Sequence, residues 1–115
     1  MNQYLLLLHE DPSAQTQSPA EMQSVLAEYS AWAGKMAAEG RLVDGQKLTD
    51  DGGRIVTSAT AVDGPYAEAK EVLAGLFVVN AETYEEAVGL ARDCPHLRYG
   101  TRVEVREIQL TSGEE

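Results

Sequence analysis

The chain has 115 residues, and 9 Lys+Arg against 19 Asp+Glu leave a formal charge of −10. That length makes one domain with a core of its own, and a hydrophobic content of 43% is too rich for a disordered chain. The acid excess repels phosphate and anionic lipid, which argues against nucleic acid and against a membrane surface as partners.

Tyr4-Leu5-Leu6-Leu7-Leu8 is apolar on both faces of a strand, the pattern of a strand covered on both sides. Four aliphatic residues in a row are too few to cross a bilayer. His9-Glu10-Asp11 follows and no Lys or Arg precedes, so the segment does not read as a signal peptide. The expectation is a soluble, cytoplasmic domain over residues 1–110 with a frayed tail over 111–115. A polar loop runs from Pro12 to Gln17. Ser18-Pro19-Ala20-Glu21 then starts a helix: Ser18 caps, Pro19 suits the first helical position, and Glu21 reaches back to close a capping box. Met22, Val25, Leu26, Tyr29, Trp32, Ala33 and Met36 form one apolar stripe, and Gly40 ends the helix in the left-handed conformation.

Arg41 to Thr49 reads as a second strand with a bulge at Gly45. Asp50-Asp51-Gly52-Gly53 is a tight turn leading into a short hairpin arm at Arg54–Thr57. After Asp63-Gly64-Pro65-Tyr66 the pattern predicts a short helix over Ala67–Leu73, then a strand at Gly75–Val79, again apolar on both faces. Thr83-Tyr84-Glu85-Glu86 is a second capping box, and Pro95 stops its helix. Arg102–Arg106 alternates as a last strand, with a change of phase near Glu107. The order β-α-β-(hairpin)-β-α-β is a ferredoxin-like α+β plan. Two helices cover one sheet face only, so the other apolar face needs a cover, for which a second copy of the same sheet is the simplest candidate.

Asp63-Gly64-Pro65-Tyr66-Ala67-Glu68-Ala69-Lys70-Glu71, with Gly75-Leu76-Phe77-Val78-Val79 behind it, resembles the DGPF-type branch of the YCII-related family, with Tyr66 in place of the usual Phe. Glu86-Ala87, Cys94-Pro95 and Gly100 before Val103-Glu104-Val105-Arg106 agree with it. The stretch between Leu48 and Asp63 is short for that family, which predicts an abbreviated hairpin. The resemblance implies a dimeric α+β barrel. It also implies, for the wider family, a lyase-type or dehydrochlorinase activity resting on a His–Asp pair. The matching positions here hold Glu21 and Ala38, so the pair is missing and catalysis is left open. Similarity to proteins encoded beside extracytoplasmic-function sigma factors implies an accessory or regulatory alternative.

The candidate site residues are His9, Asp63, Tyr66, Glu68, Lys70 and Arg106, and the ligand expected is a small organic molecule near the Asp63 turn. Asp63 either accepts backbone N–H groups in a turn fixed by Gly64 and Pro65, or orients a ligand. Glu68 and Lys70 either form ion pairs or hold a polar group; Lys70 would neutralise an acid. His9 ends the first strand, and histidine is the side chain that changes charge near neutral pH, which makes it the candidate proton carrier; a solvated or dimer-contact role is the alternative. Glu104 and Arg106 share a face and can pair or bind a carboxylate. Tyr66 is a buried ring with a wet hydroxyl or a ligand contact. The lone Cys94 excludes an internal disulfide and a cysteine-built zinc site, and it reads as core. Neither a metal nor a cofactor is expected. A cofactor-independent lyase or oxygenase is a further reading by fold analogy.

Overall fold

The computed structural model describes residues 1–11, 18–49, 51–66 and 71–110. The elements run β1 (Asn2–Glu10), α1 (Pro19–Ala38), β2 (Leu42–Lys47), β3 (Arg54–Val56), β4 (Ala61–Asp63), β5 (Val72–Ala81), α2 (Tyr84–Arg92), α3 (His96–Tyr99) and β6 (Arg102–Glu107). Four strands form an antiparallel sheet in the order β2-β5-β1-β6, while β3 and β4 form a separate hairpin. This is the split βαβ arrangement expected from the element order.

The α1 start follows from its chemistry. Ser18 Oγ accepts from Glu21 N, and the Glu21 carboxylate accepts from Ser18 N, so two of the helix's unpaired donors are satisfied at once. Gly40 ends the turn with φ 74°. The second capping box closes differently. Thr83 Oγ accepts from Glu86 N, but Glu86 turns to Glu82 N and to the Arg41 guanidinium, which ties α2 to the end of α1.

The core lies between the helices and one sheet face. Tyr4, Leu6 and Leu8 of β1 are buried with Val79, Ala81, Trp32, Met36, Ala87, Ala91 and Cys94 in one cluster. Trp32 donates to Leu90 O at 3.2 Å and meets the Phe77 ring edge-on at 4.8 Å. Only part of the α1 stripe is buried: Val25, Trp32 and Met36 are inside, whereas Met22 and Leu26 are exposed.

Leu5 and Leu7 point the other way, half-buried, beside Val78 and Leu76. The thickness is only 18 Å, one helix layer on one sheet, so among the described residues nothing is laid over that face. The Cα radius of gyration, 15.7 Å, exceeds the roughly 13 Å of a compact chain this long. The short β3–β4 hairpin packs chiefly on itself and not on the main sheet.

Local differences from the sequence reading have physical causes. The irregularity in β2 falls between Leu42 and Asp44, not at Gly45. Gly45 lies under the Phe77 ring, where a Cβ would come within 2.6 Å of it. The predicted helix over Ala67–Leu73 does not extend to its end: Val72 and Leu73 belong to β5, and Ala67–Lys70 lie outside the described residues. Pairing with Glu10 and His9 draws them into the sheet. No phase change occurs at Glu107: β6 runs in register to it and Ile108 N still donates to Gln3 O. The slip is instead in the β1–β5 pairing, between Leu8 and His9.

Candidate functional site on the open sheet face

Register decides which side chains share the open face. Arg106 pairs with Leu5, Glu104 with Leu7, and Arg102 with His9; across β5, Val78 pairs with Asp44 and Leu76 with Gln46. The face is therefore an apolar centre of Leu5, Leu7, Leu76 and Val78 with a charged column on β6 and a polar one on β2.

His9 stands where this centre meets the β6 column. Its Nε2 is 3.0 Å from Glu104 Oε1; the His9 side chain is 14% exposed and that of Glu104 32%. A carboxylate only accepts, so this bond places the imidazole proton on Nε2 and leaves Nδ1 as the basic nitrogen. The His9 hydrogen bond in turn holds the Glu104 carboxyl below the ordinary glutamate range. Arg106 Nη1 lies 3.6 Å from the other Glu104 oxygen, the ion pair expected of two residues on one face. Arg102 donates through Nε to Glu71 at 2.7 Å, and bonds from Thr101 and Arg102 lower the Glu71 carboxyl. The result is an imidazole held by a carboxylate, with Arg102 at the paired position on β6, Arg106 on the carboxylate's other oxygen, and an apolar floor next to it. Such a group can bind a small anion and accept a proton from it.

A second histidine, missed by the sequence reading, supports this end of β1. His96 is buried, and its Nε2 donates to the His9 carbonyl at 2.5 Å while Tyr29 Oη lies 2.7 Å from Nδ1. A Cβ on Gly100 would sit 2.1 Å from His96 Nε2, so Gly100 makes the room for the ring. Pro95-His96 directly after α2 was the available signal, since a buried imidazole must find partners for both nitrogens.

The other expected residues lie elsewhere. Asp63 is the last residue of β4; its carboxylate is strongly exposed and faces Arg54 Nε at 3.3 Å. Among the described residues it accepts no backbone N–H; that part is played by Asp51, which accepts from Gly53 N at 2.8 Å. The turn is shaped by close approach: a Cβ on Gly52 would sit 1.9 Å from Gly64 O. Tyr66 is exposed, and Glu68 and Lys70 lie outside the described residues. Neither of two grooves formed by the described residues joins His9 to Asp63. One shallow groove of about 490 Å³ is lined by Asn2, Gln3 and Glu107–Leu110, and one of about 220 Å³ lies between α2, α3 and β6. Cys94 is buried core, and burial pushes its thiol up to about 11. Glu21 and Ala38 stand at opposite ends of α1, about 25 Å apart at ~1.5 Å per residue. Glu21 is engaged by the Ser18 cap. Among the described residues, no helix is long and apolar enough to cross a membrane.

Comparison with known proteins agrees with this architecture. Among solved structures, the chain is similar to the 5-chloro-2-hydroxyhydroquinone dehydrochlorinase of Burkholderia phenoliruptrix AC1100, solved in complex with 2,5-dihydroxybenzoquinone. The TM-score is 0.55 at 13% sequence identity, over 98% of this chain and 99% of that one. At that identity the likeness bears on the fold alone. No curated protein matches the chain in sequence. The family model of the YCII-related domain matches residues 2–109, nearly the whole length, and the chain belongs to the YCII-related family.

Proposed function

We propose that this chain is a DGPF-type member of its family that works as a homodimer joined through the open sheet face, and that it binds a small organic acid or phenol beside His9. The observation that carries the reading is the His9–Glu104 pair, 3.0 Å apart at the edge of an apolar face that no described element covers. Leu5, Leu7, Leu76 and Val78 favour a second copy as the cover, because a contiguous apolar patch is costly to leave in water. Arg102, opposite His9 on β6, suits an anionic group, and the Nδ1 of His9, unengaged among the described residues, suits the acceptance of a proton from it. A cofactor-independent lyase needs a base and an anion holder of this kind. The resemblance sets the family's His–Asp pair at positions held here by Glu21 and Ala38, which favours His9 for that part.

The test is a thermal-shift screen against small hydroxylated aromatics, 2,5-dihydroxybenzoquinone among them, and short carboxylic acids. A compound of this class should raise the melting temperature of the parent protein by a few degrees, and His9→Gln and Arg102→Ala should each abolish most of that shift. A panel without a single hit, or a hit indifferent to both substitutions, rejects the ligand reading in favour of a non-catalytic accessory protein. Light scattering at micromolar concentration tests the dimer, and a monomer there rejects it.

A further inference from the structure

The open face carries a charge pattern that selects one way of stacking two copies. Arg106, Leu5, Val78 and Asp44 form one row across the four strands, and Glu104, Leu7, Leu76 and Gln46 the next. Each row is apolar in the middle and polar at both edges, and the first has a cation at one edge and an anion at the other. Arg106 is 67% exposed and only loosely held by Glu104 at 3.6 Å. Asp44 is exposed and accepts from Gly45 N and Gln46 Nε2, with no cation in ion-pair distance among the described residues.

Resting on the homodimer reading above, we propose that the two-fold axis runs parallel to the strands, between β1 and β5, so that Arg106 of each copy meets Asp44 of the partner subunit. Rotation about that axis carries β6 over the partner's β2 and keeps each row at its own level. Leu5 then faces Val78 of the partner subunit, Leu7 faces Leu76 of the partner subunit, and Glu104 faces Gln46 of the partner subunit. Because the operation is its own inverse, every contact occurs twice. Sheets pack face to face at about 10 Å, a gap that an arginine opposite an aspartate can span. An axis across the strands would instead stack β6 on β6 and β2 on β2, setting the two Asp44-bearing edges against each other. The parallel axis also has a consequence for the site. β2 ends at Lys47, at the sheet end where β1 reaches His9 and β6 begins at Arg102. The end of the partner's β2 therefore lies over Arg102 and the start of the partner's β5 over His9, and the site is completed only in the dimer.

Charge exchange tests the axis. Arg106→Glu should weaken self-association about tenfold or more in sedimentation equilibrium, since two attractive contacts become repulsive. Asp44→Arg should do the same, and the Asp44→Arg/Arg106→Glu double variant should return to within about threefold of the parent. Both residues are exposed, and circular dichroism verifies that each variant is folded. If the parent is a dimer but Arg106→Glu leaves association unchanged or tightens it, or the double variant fails to recover, the parallel axis is wrong while the dimer stands. A monomeric parent overturns the dimer itself and the axis with it.

Discussion

Two glycines show how closely the fold reads single atoms. A Cβ on Gly100 would fall on the buried His96 ring, which is fixed at both nitrogens and cannot swing away. Gly100→Ala should therefore cost about 1–3 kcal/mol in urea unfolding, the range for forcing volume into a packed site. Gly89 is the control: it lies within α2 with nothing within 4 Å of its Cβ position, so Gly89→Ala should stabilise by about 0.5–1 kcal/mol. At Asp63 the structure lowers the expected effect. A cap would be worth more, but an exposed pair with Arg54 makes Asp63→Ala cost about 0–1 kcal/mol. Acid sensitivity belongs to the carboxylates. Glu104 is held below the ordinary value near 4.5 by the His9 hydrogen bond, Glu71 by Thr101 and Arg102, and Glu86 by Arg41. A carboxyl depressed in the folded state contributes its stability above the unfolded value and loses it as pH falls through the folded one. Urea midpoints should hold from pH 7 to about 5 and drop below about 4.5. Glu104→Gln should flatten part of that drop, and an unchanged acid profile would refute the assignment.

At the level of elements, what the sequence made legible was whatever is determined within a few residues. Ser18-Pro19-Ala20-Glu21 closes a complete capping box on itself, so α1 begins where the pattern puts it. Ser18→Ala should cost about 0.5–2 kcal/mol, measured by the same unfolding curves. Glu104 and Arg106 could be paired from alternation alone, because strand period fixes their common face. What stayed hidden depends on the neighbouring strand. Val72 and Leu73 are extended because Glu10 and His9 pair with them, a long-range contact that no local propensity records. The slip between Leu8 and His9 is likewise a property of the β1–β5 pair. The same blindness concealed the partner of His9: Glu104 is 95 residues away and reaches it only through the β1–β6 register. The Asp63 turn, prominent as a motif, proved to be a hairpin end whose glycines allow close backbone approach.

For the whole molecule, β1 holds the two kinds of apolar residue side by side. Leu6 is completely buried against the helices, and Leu7, one residue on, is half-buried on the open face. The described residues of one chain explain the first and not the second, since they form an 18 Å slab with one covered face. The two positions should therefore respond in opposite ways. Leu6→Ala removes volume from the core and should cost about 2–5 kcal/mol of unfolding free energy while leaving the recognition face unaltered. Leu7→Arg puts a charge where Leu76 of the partner subunit would pack, and burying an unpaired guanidinium is far costlier than leaving it in water. That variant should keep its circular dichroism but run as a monomer by light scattering at concentrations where the parent is a dimer. If Leu7→Arg stays dimeric, the open face is not where two copies meet. If it unfolds instead, Leu7→Ser separates the cases, because a small polar residue weakens the contact without a stranded charge.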